Sequence, residues 1–452
     1  MSGRRPVVVV VGAGSAGSVV AGTLAAADVC SVILVEAGPD RALADRPDSV
    51  SGPSFVAAMG EPGFTWSDLP AVRVTGQAPR QYVRGRGLGG SSAVNAMVAL
   101  AGHPDDYDGW ERDLGCDGWA WSAVAPWFDR VRAVHPLVAA RGDEIGPLGR
   151  AMVLAEASSE PALLTRDRAG TRVTAADVFV EPWRAHGRLE IRGGSEVRRV
   201  LLEGRRATGV ELADGSVVEA DAVIVCAGAI HSPAVLLRSG IDRPGIGNGL
   251  QDHPSFPVTL VLRDVPAPPR LSVGALLRAS HRAPDDLQVL AMDEVDPAMP
   301  SLGVLLGAVM RVWSRGSVRL GPDPLGAPAV DFAMLSDERD MASMRAVVDL
   351  VERIATSPAV TAVADVVPHA TDDDTVRASV GDYVHATSTC RMGRVDDDAA
   401  VVDTSGQVIG HEGLWVIDAS VMPRVPRANT HLPTMALALR LASEWVARTT
   451  SA

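Results

Sequence analysis

Lysine is absent from this chain of 452 residues, so all 42 of the residues that carry a permanent positive charge at neutral pH are arginine. Without a lysine amine, the protein cannot form a Schiff base with a carbonyl substrate. The same absence excludes a phosphate-binding loop of the Walker type, which requires a lysine. Any catalysis or phosphate binding must therefore depend on other groups.

Cysteine is also scarce, and no cysteine takes part in a CxxC pattern or in a Cys/His ligand spacing. The four cysteines are Cys30, Cys116, Cys226 and Cys390. A structural zinc site is therefore not expected, and each cysteine is interpreted as a small buried residue of a reduced compartment. The acidic runs 372–374 and 396–398 are interpreted as solvated loops because no third ligand accompanies them, so we predict no metal.

Long apolar runs are missing too, since none approaches the roughly 18–20 residues that a bilayer crossing needs. Arg4 and Arg5 precede an apolar run, but a glycine motif begins where an export signal would be cleaved. The net charge of −13 argues against nucleic acid and anionic membranes as partners. We predict an ordered cytoplasmic protein of two or three domains.

A nucleotide-binding pattern stands near the start of the chain. Val7–Val11 form a β-branched run typical of a strand buried on both faces. Gly12, Gly14 and Gly17 follow with the spacing GxGxxG. The first glycine allows a tight turn, the second lets a diphosphate approach the backbone, and the third lets a helix pack on the strand. The amides at the start of that helix attract the diphosphate.

A second strand, Val32–Val35, ends at Glu36, which lies 19 residues after Gly17. At this spacing an acidic side chain accepts hydrogen bonds from the hydroxyls of an adenosine ribose. Strand, glycines, helix, strand and acid in this order predict a dinucleotide-binding fold.

Two later strands carry the signal of the same sheet. Ala222–Cys226 leads into Ala227 and Gly228, and Leu414–Ile417 leads into Asp418. A carboxylate at the carboxyl end of a strand suits a second contact with the cofactor. Because these strands lie about 200 and 400 residues from the first, the nucleotide domain must be discontinuous.

The region 255–383 has a different pattern, with short strands joined by turns and helical spacing of apolar residues over Arg339–Ile354. The predicted strands are Val258–Leu262, Leu287–Ala291, Leu302–Val309 and Ser317–Leu320. Short strands with a covering helix indicate an antiparallel sheet flanked by helices. The predicted fold class is therefore α/β, a discontinuous Rossmann-like domain with an inserted α+β substrate domain built on an antiparallel sheet.

Five motifs follow one another in a characteristic order. They are GRGLGGSSAVN at Gly85–Asn95, DYDGWERDLGCDGWAWSAVAPWF at Asp106–Phe128, GAIHSPAVLLRSGI at Gly228–Ile241, IGNGLQDHP at Ile246–Pro254, and the run from His385 to Pro433. Together they resemble the glucose-methanol-choline (GMC) family of FAD-dependent oxidoreductases. The resemblance covers most of the chain, except the inserted region, and the chain is shorter than typical members.

The resemblance implies that the nucleotide is FAD. It places an FAD-binding domain at 1–140, 170–254 and 384–452, and a substrate-binding domain at 141–169 and 255–383. Some members attach FAD through a histidine near the first signature, but Val94 occupies that neighbourhood and His103 is the nearest histidine, so we predict non-covalent FAD. The residues assigned to FAD are Gly12, Gly14, Ser15, Ala16, Gly17, Glu36, Ala37, Arg86, Gly89, Gly90, Ser91, Ser92, Asn95, Val197, Ala227, Gly228, Asp418, Ala419 and Asn429.

The carboxyl-terminal motifs supply the catalytic candidates. His385 opens HATSTCRMG and matches the family's active-site histidine, while Asn429 in NTHLPT matches a second position filled by histidine or asparagine. An imidazole, with an ordinary pKa of about 6.5, can act as a base and an amide cannot, so Asn429 is predicted to be the hydrogen-bond partner. His431 is the third candidate, since residues two apart in an extended segment point to the same side.

The chain departs from the family pattern at three positions. Ala386 stands where proline is usual, Ser388 replaces a common glycine, and His431 stands where many relatives carry asparagine. His231 and His253 lie within the motifs and are interpreted as structural or as close to the flavin.

The implied reaction oxidises an alcohol to a carbonyl. A base removes the hydroxyl proton while a hydride passes from the same carbon to flavin N5. We predict a dehydrogenase that passes electrons to a quinone or redox carrier, with an oxygen-using alcohol oxidase and a hydroxynitrile lyase as the alternatives. The short chain and the ending VPRANTHLPTMALA also resemble the subgroup associated with the redox cofactor mycofactocin.

The sequence does not identify the alcohol. Aromatic residues make up 4% of the chain, which gives little support for an aromatic cage around a choline-like cation. The aromatic residues of the inserted region are Phe256, Trp313, Phe332 and Tyr383. Polyols and aliphatic, aryl or carrier-bound alcohols stay open as substrates, and no oligomeric state is predicted.

Overall fold

A computed structural model of the protein describes residues 4–265 and 270–451. Twelve α-helices lie within these ranges: α1 Ser15–Ala27, α2 Asp48–Ser51, α3 Phe55–Gly60, α4 Pro104–Leu114, α5 Trp121–Val134, α6 Pro147–Ala155, α7 Ala175–Phe179, α8 Gly228–Arg238, α9 Glu338–Ala355, α10 Pro358–Thr361, α11 Asp373–Ser379 and α12 His431–Ser451. None of the helices so described combines the length and the apolar character that a bilayer crossing requires.

The strands of the same part of the chain are β1 Val7–Val11, β2 Ser31–Val35, β3 Pro70–Val72, β4 Arg80–Gln81, β5 Val138–Ala139, β6 Ser159–Pro161, β7 Leu163–Leu164, β8 Leu189–Arg192, β9 Val197–Glu203, β10 Arg206–Leu212, β11 Val217–Glu219, β12 Ala222–Val225, β13 Asn248–Leu250, β14 Ser255–Leu262, β15 Val273–Ala279, β16 Leu287–Met292, β17 Leu302–Val309, β18 Gly316–Arg319, β19 Ala329–Asp331, β20 Ala364–Val366 and β21 Leu414–Val416.

The nucleotide-binding pattern folds as a five-stranded parallel sheet in the order β21–β12–β1–β2–β8. Strand β1 is central, and its last four valines are buried, as expected for a β-branched strand covered on both faces. The sheet confirms the predicted fold class. The three other strands predicted for this sheet are present as β2, β12 and β21, and β8 is a further strand that was not predicted.

The inserted region forms a six-stranded antiparallel sheet in the order β20–β14–β17–β16–β15–β6. Helix α9 covers strands β14, β16 and β17. The approach is close, since a Cβ added at Gly307 would lie 2.5 Å from side-chain atoms of Val347 and Val351. Three of the predicted strands and the covering helix are present, with small differences at their ends. The fourth, predicted at Ser317–Leu320, forms β18 but belongs to a different sheet, where it pairs with β13 and β19.

Three smaller sheets complete the described structure: β11–β10–β9, β13–β18–β19–β3–β4 and β5–β7. Two large hydrophobic clusters form the core, one around the parallel sheet and one around the antiparallel sheet. Leu69, Tyr82 and Met97 belong to the second cluster, although our division places 1–140 in the FAD-binding domain. The division into domains stays a prediction, and these three residues pack with the core of the antiparallel sheet.

All four cysteines are free thiols and are buried, in agreement with their interpretation as small interior residues. Burial raises the pKa of Cys30 to about 11 and that of Cys116 to about 12. Burial also raises the pKa of Cys226 and of Cys390 well above the ordinary value, and the nearby Asp418 adds to both shifts. The thiols therefore stay protonated at neutral pH.

Candidate active site

A cavity of about 430 Å³ lies between the two sheets. One side is formed by residues at the carboxyl ends of the parallel strands, including Val11, Val35 and Cys226. Apolar residues of the antiparallel sheet form another side: Val273, Leu290, Met292 and Leu306. The carboxyl end of a parallel sheet is where α/β folds bind ligands, and this volume lies in the range of small-molecule sites.

The glycine-rich turn has the shape that its sequence predicts. Gly12 has a φ of +95°, and a Cβ added there would lie 2.8 Å from the carbonyl oxygen of Cys226. A Cβ at Gly17 would collide with the carbonyl of Gly12, so α1 can only approach β1 because this position is glycine. A second glycine segment closes over the turn, because a Cβ at Gly90 would lie 2.7 Å from Cα of Gly14.

The start of helix α1 forms part of the cavity wall. Gly14, Ser15 and Ala16 line the cavity, and the N-cap Gly14 offers no side chain to the first amides of the helix. Amides at the start of a helix need an acceptor from outside the helix, and the helix dipole favours a negatively charged one. The diphosphate of a dinucleotide fits this position.

The carboxylate of Glu36 holds three backbone amides. Its Oε2 accepts a hydrogen bond from the N–H of Ala13 at 2.7 Å, and its Oε1 accepts from Gly38 and Gly87, both at 2.9 Å. Glu36 is buried, and burial raises its pKa, against the effect of these hydrogen bonds. The side chain thus ties the glycine turn to the first signature segment, in addition to bordering the cavity.

The carboxylate of Asp418, which also borders the cavity, likewise accepts three hydrogen bonds. Its carboxylate accepts hydrogen bonds from Gly228 N–H at 2.8 Å, from Ser232 Oγ at 2.5 Å and from Ser420 N–H at 2.7 Å. Burial raises its pKa. These contacts fix the start of α8 against the segment that follows β21, where both border the cavity.

Most of the residues assigned to FAD share this one cavity. Those that line it are Gly12, Gly14, Ser15, Ala16, Glu36, Ala37, Gly90, Ser91, Asn95, Val197, Ala227, Gly228, Asp418, Ala419 and Asn429. The cavity wall includes both Val197 and the pair His385 and Asn429, which suits an elongated cofactor with a reactive ring at one end.

Four of the assigned residues do not line the cavity. Gly17 packs against β1, and the N–H of Gly89 donates to the carbonyl of Ala13 at 2.9 Å. Ser92 donates to the carbonyl of Gly89 at 2.6 Å, and Arg86 donates to the carbonyl of Ala37 at 2.8 Å. Their contacts shape the cavity wall from behind.

His385 lies at the cavity wall with a second histidine behind it. Nδ1 of His385 is 3.1 Å from Nδ1 of His253, and Nε2 of His253 is 3.1 Å from the carbonyl oxygen of Pro426. Asp252 Oδ1 accepts from the backbone N–H of His385 at 2.9 Å and from that of His253 at 2.7 Å. One buried carboxylate therefore fixes the main chain of both histidines.

Asn429 and His431 occupy different parts of the cavity. Nδ2 of Asn429 is 3.5 Å from Nε2 of His385, which brings the predicted pair together. His431 is the first residue of α12, so the extended conformation assumed for it is wrong. Its Nδ1 lies 2.9 Å from Oγ of Ser15, which places the ring beside the glycine turn.

Three buried polar atoms on this wall have no hydrogen-bond partner among the described residues: Nε2 of His231, Oδ1 of Asn429 and Nε2 of His431. An unpaired buried polar atom is costly unless a ligand or water satisfies it. Together with the uncapped start of α1, these atoms fit the polar groups of a bound FAD.

The surrounding protein lowers the basicity of every histidine at the cavity. Burial lowers the pKa of His385 well below its ordinary value, with smaller contributions from His253 and Arg84. Burial likewise lowers the pKa of His253 to about 3, and that of His431 to about 3. In contrast, burial and the nearby Asp382 raise the pKa of Asp252 to about 7. These imidazoles are therefore neutral at neutral pH.

Several residues of the site were missed from the sequence. Arg84 donates to Ser91 Oγ at 2.7 Å and borders the cavity, where Trp66 also stacks on His231 at 4.3 Å between ring centroids. Arg84 lies one residue before the first signature, and Trp66 carries no local signal. The LQDHP motif did contain the signal for Asp252 and His253, but only the fold shows that they contact His385.

Asp252, His253 and His385 are also grouped closely enough to suggest a metal site within the described ranges. Their hydrogen bonds give another account of the grouping. Asp252 already accepts from Tyr82 Oη at 2.9 Å as well as from two backbone amides. The prediction that the protein has no metal site stays a prediction.

Comparison with protein families gives two matches, both described as GMC oxidoreductase. The amino-terminal family model matches residues 7–164 and 162–255, and the carboxyl-terminal model matches residues 313–438. Together they span well over half of the chain and include every motif quoted above.

Among curated relatives, the 5-(hydroxymethyl)furfural oxidase of Methylovorus sp. (strain MP688) is 33% identical, covering 96% of this chain and 97% of the relative. The oxygen-dependent choline dehydrogenase of Brucella melitensis is 31% identical, covering 98% and 95%. Among solved structures, pyridoxine 4-oxidase from Mesorbium loti superposes with a TM-score of 0.86 at 29% identity, covering 97% and 98%. Formate oxidase of Aspergillus oryzae gives the same TM-score at 21% identity, covering 98% of each chain, and supports the fold alone.

Proposed function

Since the chain belongs to the GMC oxidoreductase family, we propose that it oxidises an alcohol with His385 as the base. The protein is an FAD-dependent oxidoreductase acting on alcohols. The observation that carries the assignment of the base is that His385 and Asn429 meet at the wall of the cavity that the glycine turn also borders. Bound FAD supplies the acceptor for the hydride that leaves the alcohol carbon.

His385 and Asn429 divide the work at the substrate hydroxyl. Nε2 of His385 takes the hydroxyl proton while the carbon–hydrogen bond breaks, so the alcohol loses one proton and one hydride and becomes a carbonyl. Asn429 cannot take a proton, but its amide can hydrogen bond to the substrate oxygen as charge develops there. The apolar side chains of the antiparallel sheet exclude water from the same space.

We expect the rate of reaction to be insensitive to mildly acidic pH. An imidazole is a base only above its pKa, and the pKa of His385 is lowered by burial, so its base form persists below the ordinary value of about 6.5. The second-order rate constant of anaerobic flavin reduction, measured from about pH 5.5 to 9, reports the free enzyme. A fall centred near pH 6.5 would contradict a desolvated His385.

We propose that FAD is held without a covalent bond. Val94 lines the cavity, whereas His103 caps helix α4 through its Nδ1, which accepts from Asp105 N–H at 3.2 Å. Acid precipitation is expected to release all of the FAD into the supernatant and to leave a colourless pellet. A yellow pellet would show a covalent link.

An uncharged alcohol with an apolar body is the substrate class that this cavity favours. Carboxylates near His385 are already engaged, because Asp252 accepts three hydrogen bonds and Asp382 accepts from Arg73 Nε at 2.6 Å. Among the described residues around His385, a choline-like cation would therefore find no free carboxylate. An anaerobic panel of aryl, aliphatic and polyol alcohols beside choline, with flavin bleaching as the readout, tests the activity and the preference together.

The acceptor that reoxidises the flavin distinguishes a dehydrogenase from an oxidase. From the sequence we propose a dehydrogenase that passes electrons to a quinone or redox carrier, mycofactocin being one such carrier. The names of two similar proteins, an oxidase of 5-(hydroxymethyl)furfural and an oxidase of pyridoxine, favour an alcohol oxidase as the second candidate. Oxygen consumption in the presence of a bleaching alcohol decides between them, and bleaching itself excludes a hydroxynitrile lyase.

A further inference from the structure

His253 has no assigned task, although it contacts the base. It is completely buried, with the carbonyl of Pro426 at its Nε2 and the ring of His385 at its Nδ1. The carbonyl of Met310 also lies beside the ring, without a hydrogen bond as short as these two. A neutral imidazole carries one hydrogen, so one of its nitrogens donates and the other accepts. The identity of the two partners determines which nitrogen does which.

The carbonyl of Pro426 decides the state of His253. A carbonyl oxygen only accepts, so at 3.1 Å from it Nε2 must carry the hydrogen. The ring is neutral, because burial lowers its pKa to about 3. Nδ1 of His253 is therefore left as a lone pair.

That lone pair in turn decides the state of His385. The two Nδ1 atoms are 3.1 Å apart, a hydrogen-bond distance that needs one hydrogen between them. Since Nδ1 of His253 has none, Nδ1 of His385 carries it. Nε2 of His385 is then the unprotonated nitrogen, and it is the atom that faces Nδ2 of Asn429 and the cavity.

We propose that His253 is a positioning residue that fixes His385 in the tautomer with Nδ1 protonated and Nε2 free to accept a proton. The proposal rests on the proposed function of His385 as base. When Nε2 takes the proton, the ring becomes an imidazolium whose Nδ1–H still donates to His253, and this charge-assisted bond is stronger than the neutral one. No proton needs to move to His253.

Hydrogen bonds and aromatic side chains surround the two rings. Asp252 holds both main chains, and Tyr82 Oη donates to Asp252 at 2.9 Å. The ring of Tyr383 lies 5.0 Å from that of His385 and 6.1 Å from that of His253, edge-on to both. Arg84 and Asp382 are the other charged groups whose fields reach this cluster.

Nuclear magnetic resonance of the full FAD-loaded protein, with ¹⁵N in its histidine rings, reads the tautomer directly. Protonated and unprotonated ring nitrogens have well-separated shifts, and the signals of His385 are identified by their loss in His385→Gln. We expect a protonated Nδ1 and an unprotonated Nε2. The opposite pattern overturns the proposal, whether or not the protein oxidises any alcohol tested.

Three variants separate the contact with His385 from the contact with Pro426. In His253→Asn the amide stands near the position of Nδ1 and can accept from His385, in His253→Gln it reaches the position of Nε2, and His253→Leu offers neither. We expect the His253→Leu and His253→Gln variants to slow anaerobic flavin reduction at saturating alcohol at least about tenfold. In both, His385 loses the partner that fixes its tautomer, and a base in the wrong tautomer cannot take the proton. Asn should retain most of the rate.

FAD content and the alcohol concentration at half saturation should be the same in all three variants, because His253 touches neither ligand in the proposal. An unchanged rate in Leu, or a Gln variant as fast as the Asn variant, overturns the proposal. Stoichiometric bound metal in the purified protein also overturns it, since a metal between the rings would replace the shared hydrogen. If every variant fails to fold, the spectrum of the native protein still decides the tautomer.

Discussion

Replacement of His385 with alanine is expected to slow flavin reduction by about 10²–10⁴-fold, the usual contribution of a general base. The loss falls on the chemical step, because Nε2 is the basic atom that contacts the amide of Asn429 at the cavity wall. FAD should remain bound, since the glycine turn, Glu36 and Asp418 lie elsewhere on that wall. Stopped-flow reduction at saturating alcohol, with FAD content from the absorption spectrum, measures both effects.

A matched control for this variant is His369→Ala. His369 is exposed and pairs with Glu352 at 2.6 Å. It does not line the cavity, so its replacement should leave the rate of flavin reduction unchanged. Near-native reduction in His385→Ala would remove this histidine from the mechanism, while the family and the cofactor would stand.

Replacement of Glu36 with alanine is expected to abolish retention of FAD and to destabilise the fold. One side chain accepts hydrogen bonds from the amides of Ala13, Gly38 and Gly87. Each buried donor left without a partner costs about 1–3 kcal/mol, so the free energy of unfolding should fall by about 3 kcal/mol or more. Urea unfolding of the FAD-free protein and FAD fluorescence after desalting measure the two losses separately.

Glu36→Gln is the matched control, because an amide of the same shape keeps one accepting oxygen. That oxygen can still accept from Gly38 and Gly87, while Ala13 faces an NH₂ group and loses its acceptor. An intermediate loss of stability and of FAD is therefore expected. If alanine and glutamate bind FAD equally well, the carboxylate holds neither the turn nor the ribose.

The parallel sheet could be predicted because local signals agree there with the final packing. The valine run of β1 and the glycines after it require the same conformation that the fold gives them. Strands β8 and β15 escaped because LEIR is very short and VGALLRA contains a glycine and no clear alternation. Their place is decided by pairing with β2 and β16, which a single segment does not reveal.

The candidate site was predictable in its members and not in its contacts. The positions of His385 and Asn429 within the carboxyl-terminal motifs identify both as candidates, and in the structure their side chains are in contact. The hydrogen-bond partner that determines the state of His253 is the carbonyl of Pro426, 173 residues away. Every residue has a carbonyl, so the sequence does not show which one will contact a given side chain. For the same reason, the three backbone amides that donate to Glu36 could not be predicted.

The buried, protonated thiols give the protein a simple chemical surface. Maleimides and similar reagents attack the thiolate, so the native chain should stay unlabelled, and any hydrogen peroxide formed near it has no reactive sulfur of cysteine to oxidise. Because lysine is absent as well, amine-directed coupling has no side chain to react with. A cysteine introduced at an exposed position such as Leu154, which is 80% exposed, would therefore be a unique point for attaching a dye, an electrode linker or a solid support.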